Sequence, residues 1–156
     1  MGRVSLWACC LGPAPAEVGR NTIITMELEL ATEADADCAR QLRGRFQQWL
    51  VTLGAPAALV DDLTLAVYEA LANVVEHAYH PHHPHPVMRL QARLDHGQLL
   101  ITITDHGRWR PPGEPGYRGR GLAMMRSLVS EVHLVATAHG TTVQLRAALT
   151  GPTIAP

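Results

Sequence analysis

Apolar positions along this chain recur with two different periods, and the period decides the element. Ala39, Leu42, Phe46, Trp49, Leu50 and Leu53 stand at helical spacing, after Thr32 and Asp35, which read as an N-cap with an acidic first turn. Gly54 ends this helix and Pro56 opens the next, since Gly tolerates the left-handed terminal conformation and Pro fits a first helical turn. In the second helix Leu63, Ala66, Val67, Ala70, Leu71, Val74, Val75 and Ala78 form one apolar stripe. It runs to about His80, where Pro81 stops it. Leu122, Met125, Leu128 and Val129 mark a third helix.

The other stretches alternate. Residues 21–30 read as a first strand. Met88, Leu90, Ala92 and Leu94 alternate in a second, residues 95–97 supply turn chemistry, and residues 99–104 return as a third. Residues 132–138 pair across His139 and Gly140 with 142–148. Between Asp105 and Gly119 stand Gly107, Pro111, Pro112, Gly113, Pro115 and Gly116, too many breakers for regular structure and enough length for a mobile lid. The order β-α-α-β-β-lid-α-β-β predicts an α/β two-layer sandwich, a mixed β-sheet covered by helices on one face.

Composition narrows the function classes. A chain of 156 residues with 47% apolar content suits one domain, here 21–149, and holds no run approaching a membrane span. The net charge of -1 and the scattered arginines give no footprint for nucleic acid. Cys9, Cys10 and Cys38 show neither metal-ligand spacing nor a disulfide framework, which predicts a reducing compartment and a cytoplasmic protein. Residues 1–20 lack the charged start and long apolar stretch of a secretory signal and read as a disordered extension; residues 150–156 read as a frayed tail. Met26 is an alternative start.

Candidate chemistry sits on the wet side of the second helix, where Glu69, Asn73 and His77 stack at i, i+4 and i+8 beside Glu76 and His80. Alone, this is what any solvated helix face shows. Two glycine motifs follow, Asp105-x-Gly107 and Gly119-x-Gly121-Leu122, and together with the helix pair they suggest an ATP site. The stretch from His80 to His85 holds four histidines broken by prolines. It lacks helical ligand spacing and any nearby Cys or carboxylate, so an exposed loop is the better reading than a metal site.

The order of elements, with Glu69-Ala-Leu-Ala-Asn73, His77, Asp105-His-Gly-Arg-Trp109, Gly119-Arg-Gly-Leu122 and Gly140-Thr-Thr-Val143, resembles the gyrase and histidine-kinase ATPase superfamily of the Bergerat fold. Within it the chain is most similar to the RsbW and SpoIIAB type of anti-sigma factor serine kinase, over roughly residues 21–149. Each motif is short; four in this order on these elements are specific.

The resemblance implies a set of roles. Asn73 would ligate Mg2+ through its amide oxygen, a hard donor suited to a metal that otherwise keeps phosphate and water ligands. Glu69 would be the catalytic base, orienting an attacking hydroxyl. Asp105 would accept a hydrogen bond from the adenine amino group, and Gly107 would let the backbone approach the base. Gly119, Arg120, Gly121 and Leu122 would offer backbone amides to phosphate oxygens at a helix N-terminus. Thr141 would support the adenine carboxylate through water. Arg118 or Arg120 would supply a cation to the terminal phosphate, the choice between them open. Whether His77 joins the site or only lines the helix also stays open, and Trp109 is expected to pack against the lid base.

As a function the resemblance implies an ATP- and Mg2+-dependent serine kinase that phosphorylates an anti-sigma-factor antagonist and sequesters a sigma factor in a partner switch, without nucleic acid or membrane as a direct partner. Homodimerisation is expected from the same likeness. The alternative is a non-catalytic module that uses ATP only to shape a protein-binding surface; it would keep the pocket and tolerate loss of Glu69.

Overall fold

A computed structural model describes residues 6–7, 26–108 and 120–149. Within these the strands are β1 (Leu6–Trp7), β2 (Glu27–Glu33), β3 (Val87–Asp95), β4 (Gln98–Asp105), β5 (Glu131–Thr137) and β6 (Gly140–Ala148). The helices are α1 (Ala36–Thr52), α2 (Ala57–Asn73) and α3 (Arg120–Leu128), with a π turn, Val74–Ala78, continuing α2. The sheet runs β1-β2-β3-β4-β6-β5, and every pairing is antiparallel except the short parallel match of β1 to β2. This is a mixed α/β fold built on a five-strand antiparallel sheet.

Alternation puts the core on one face of that sheet. Met88, Leu90 and Ala92 from β3, Leu99, Ile101 and Ile103 from β4, and Val143, Leu145 and Ala147 from β6 are all buried. The register sets Leu90 opposite Ile103 and Ile103 opposite Val143, so the apolar rows are continuous across three strands. Onto them pack Leu42, Phe46, Trp49 and Leu50 of α1 and Leu63, Val67, Ala70 and Leu71 of α2. Each fully buried Leu or Phe stabilises the fold by about 1.5–3 kcal/mol. The opposite face is polar: Gln91 Nε2 donates to Glu29 Oε1 at 3.3 Å, and Arg146 lies 3.6 Å from Glu131.

The β3–β4 turn falls where the sequence puts it. His96 and Gly97 both have positive φ (48° and 77°), the geometry of a two-residue hairpin whose twist matches its strands. Other boundaries differ. The first strand of the sandwich is Glu27–Glu33 rather than 21–30; residues 21–25 lie outside the described residues. That shift removes Thr32 as a cap, because Thr32 pairs with Met88 inside β2. Asp35 caps α1 instead, its Oδ1 accepting from the Cys38 amide at 2.8 Å. Backbone hydrogen bonding at Cys38 holds the Asp35 carboxyl below its usual 3.8. Of residues 1–20, expected as a disordered extension, Leu6 and Trp7 pair with Leu30 and Ala31 and the others lie outside the described residues. Most of the expected lid, residues 109–119, lies outside the described residues, as does Trp109.

α2 does not run on as an α-helix to His80. After Asn73 it widens into the π turn and ends at Tyr79, which is extended (φ -117°, ψ 145°). π turns of this length interrupt α-helices mostly at functional sites.

Candidate nucleotide site

The same alternation that buries Leu99, Ile101 and Ile103 turns Asp105 inward, and the strand ends there. A carboxylate only 4% exposed thus stands at the end of an apolar row. Burial pushes its pKa above the usual 3.8, against the pull of hydrogen bonds from Gly107 and Thr141. Its Oδ1 accepts the Gly107 amide at 2.9 Å and the Thr141 amide at 3.3 Å, so β4, the loop after it and the start of β6 converge on one oxygen.

Two glycines make that convergence sterically possible. A Cβ on Gly107 would run into the carbonyl oxygen of Ala78 and stand 2.9 Å from the Ala78 methyl. Next to it the Arg108 amide donates to the same carbonyl at 2.8 Å. A Cβ on Gly140, which also sits at φ 137°, would run into the Asp105 carbonyl and come 2.9 Å from His106 Cα. The Asp105-x-Gly107 loop is therefore clamped between the π turn and the β5–β6 hairpin.

Tyr79 fastens the clamp. Its hydroxyl donates to the Val87 carbonyl at 2.5 Å and accepts the His106 amide at 2.9 Å. Burial raises the pKa of Tyr79 above 10.0, so the hydroxyl keeps the proton it donates.

Asn73, Asp105 and Thr141 line one recess of about 50 Å³, with Ala70, Val74, His77 and Ile103 completing much of its wall. A larger cleft of about 800 Å³ shares His77 and Ala78 with it and continues along Tyr79, His106, Gly107 and His139. His77, for which two readings are open, lines both spaces. Glu69, one turn before Asn73 on α2, lies elsewhere, with its carboxylate packed on Gly121 in the first turn of α3. Leu122 is half-buried and packs against the core. Arg120 begins α3, while Arg118 and Gly119 lie outside the described residues.

Of the sequence-derived candidates, the fold thus brings Asn73, Asp105 and Thr141 around one recess, places Gly107 on the adjoining larger cleft, and sets Glu69 against Gly121. It adds three participants that sequence reading passes over: the Ala78 carbonyl, Tyr79 and Gly140 as a close-approach residue. Only Gly140 had a signal, a glycine opening a strand directly before a candidate threonine. His80 and His83 border the large cleft, but no group of three or more His, Cys, Asp or Glu able to hold a metal forms among the described residues. Nor is any described helix long and apolar enough to cross a membrane.

Comparison with known proteins fits this geometry. The family model for the histidine kinase-like ATPase domain matches residues 32–147, and the chain belongs to that family. Membership implies ATP as the ligand. The RsbU and RsbW domains of Rv1364c from Mycobacterium tuberculosis superpose with a TM-score of 0.66 at 29% identity, covering 82% of this chain and 34% of that one. The chain therefore spans about a third of that protein and has an RsbW-like ATPase fold. The histidine kinase domain of the blue-light activated kinase from Erythrobacter litoralis EL346 matches at a TM-score of 0.54 and 24% identity, over 71% of this chain and 61% of that one, and supports the fold alone.

Proposed function

We propose that this chain is an ATP- and Mg2+-dependent serine kinase of the RsbW type, which phosphorylates an anti-sigma-factor antagonist and holds a sigma factor when unphosphorylated antagonist is scarce. Family membership and the RsbW-domain neighbour support the general class. The finer reading rests chiefly on one observation: Asn73 and buried Asp105 face a common recess while Glu69 lies one helical turn from Asn73.

The residues present fit an adenine nucleotide. Asp105 offers a buried carboxylate to an exocyclic amino group, and Gly107, at a position that only glycine can fill against Ala78, holds the loop beside it. Asn73 would hold Mg2+ through its amide oxygen, with phosphate and water as the other ligands, which is how this ion is commonly bound outside all-protein cages. The bound nucleotide supplies the phosphoryl group. Glu69 orients the partner's serine hydroxyl and takes its proton, and the Gly121 amide faces phosphate at the N-terminus of α3. The family likeness extends the same phosphate-binding role to Gly119, Arg120 and Leu122. Thr141 keeps Asp105 aimed through its amide. The partners are proteins in the cytoplasm, and the kinase acts as a homodimer.

Calorimetric titration with ATP, with and without Mg2+, tests the site on the wild type, Asp105→Asn and Asn73→Ala. Binding by the wild type, its loss in Asp105→Asn and loss of the Mg2+ effect in Asn73→Ala are expected. Incubation of candidate antagonists with radiolabelled ATP then tests the chemistry. Normal nucleotide binding without any labelled partner, and with partner regulation intact in Glu69→Ala cells, defeats the kinase reading and leaves the non-catalytic module.

A further inference from the structure

The contact between Glu69 and Gly121 has no counterpart among the roles derived above, in which Gly121 serves phosphate through its amide. A Cβ built on Gly121 would stand 3.0 Å from Glu69 Cγ and 2.9 Å from Cδ, and would overlap Oε1. Gly121 is buried, and Glu69 is half-buried on the facing side of α2. The carboxylate thus occupies the space that a side chain at 121 would need and that only glycine leaves open. A Glu side chain has three rotatable bonds, so the direction of its carboxylate is set by what that carboxylate touches.

We infer that Gly121 is a positioning residue for the catalytic base: its missing side chain is the seat that aims the Glu69 carboxylate, so the first turn of α3 sets the direction in which the proton is taken. This rests on the kinase reading of Glu69. It gives the second glycine of the Gly119-x-Gly121 motif a second duty, toward protein rather than phosphate. Since the obstacle met by a new Cβ is the end of a flexible side chain and not backbone, Gly121→Ala is accommodated by displacement of Glu69 rather than by unfolding. A carboxylate moved by about an ångström loses on the order of a hundredfold in rate when its alignment matters.

The test is a mutant cycle on the full chain with two readouts. In the first, ATP turnover in the presence of Mg2+ is measured beside ADP affinity. Gly121→Ala is expected to lower turnover about tenfold to a hundredfold. Glu69→Asp withdraws the carboxylate by one methylene and makes room for the methyl. Adding Gly121→Ala to Glu69→Asp is therefore expected to change turnover by less than about threefold. The second readout, thermal melting, needs no activity. Gly121→Ala is expected to melt a few degrees lower in the wild-type background and at an unchanged temperature in the Glu69→Ala background. Equal effects of Gly121→Ala in both backgrounds, on turnover or on melting, overturn the inference, as does a Gly121→Ala protein with wild-type turnover. A wild type that binds ADP, turns over no ATP and labels no candidate antagonist overturns the kinase reading instead, and melting alone then decides the seat.

Discussion

Asp105 Oδ1 and the Thr141 amide meet at 3.3 Å although 36 positions separate them, and the Gly107 amide shares the same oxygen at 2.9 Å. One carboxylate oxygen thus ties the end of a central strand, its following loop and the neighbouring strand. Because an Asn carbonyl can accept the same two amides, Asp105→Asn is expected to fold as well as the wild type or better. The sign follows from the pKa. Burial raises it in the folded chain above 3.8, so the ionised group costs stability at neutral pH, and the cost disappears as pH falls through the raised value. The variant removes that cost and presents an amide N–H where a second acceptor is needed. Melting curves should show an unchanged or higher midpoint at pH 7, and calorimetry should show loss of ATP binding. By the same logic, wild-type affinity for ATP should fall on acidification beginning above pH 3.8, where Asp105 takes up its proton.

Gly107→Ala should be severe. The new methyl has to displace the Ala78 carbonyl, which is backbone and accepts the Arg108 amide, so no side-chain rotation relieves it. A cost of about 1–3 kcal/mol, the range for forced overpacking, is expected in denaturant unfolding, with ATP binding lost. Undiminished stability would show that the π turn yields more readily than its hydrogen bonds imply.

Tyr79→Phe isolates the fastening between Val87 and His106. Removing one hydroxyl leaves the Val87 carbonyl and the His106 amide without this partner, at about 1–3 kcal/mol when the site is buried and toward the lower end here, because His106 is exposed. Amide exchange should speed up at His106 and Gly107 before it changes in the strands. ATP affinity should fall with it.

Thr64 lies in the helical core layer, 8% exposed, and its Oγ1 has no hydrogen-bond partner among the described residues. Valine has nearly the same shape without the hydroxyl. Thr64→Val should stabilise by about 1 kcal/mol, the low end of the cost of an unpaired buried hydroxyl, with no effect on ATP binding. An unfolding midpoint below that of the wild type would mean that the hydroxyl has a partner in solution.

Much of this architecture is legible in the chain. Met88 to Ala92 alternate, as do Leu99 to Ile103 apart from the outward Leu100, and His96-Gly97 permits the positive φ a tight hairpin needs. The parity of β4 then makes the inward direction of Asp105 a consequence of counting from Leu99. What stays hidden depends on tertiary competition. Thr32 and Asp35 are both sound caps, and pairing of Thr32 with Met88 decides between them. Val74 to Ala78 carries the residues of an ordinary helix, so nothing local announces its wider turn. Tyr79 gives no sign either, since its two partners come from an approaching strand and a loop. The candidate site shows the same division. Spacing points to Asn73, Asp105 and Gly107, whereas the packing of Glu69 on Gly121 joins elements 52 positions apart.

The wider turn after Asn73 also sets a rule of length. An α-helix advances by about 100° per residue, so removing one residue from Val74–Ala78 and letting the helix close up as α would rotate everything beyond it by a large part of a turn. The carbonyl that receives Arg108 would then point away from the loop, and the tyrosine after it would miss both its partners. Substitutions within these five residues are thus gentler than deletions. Homologous chains compared across this stretch should keep its residue count even where they share none of its letters.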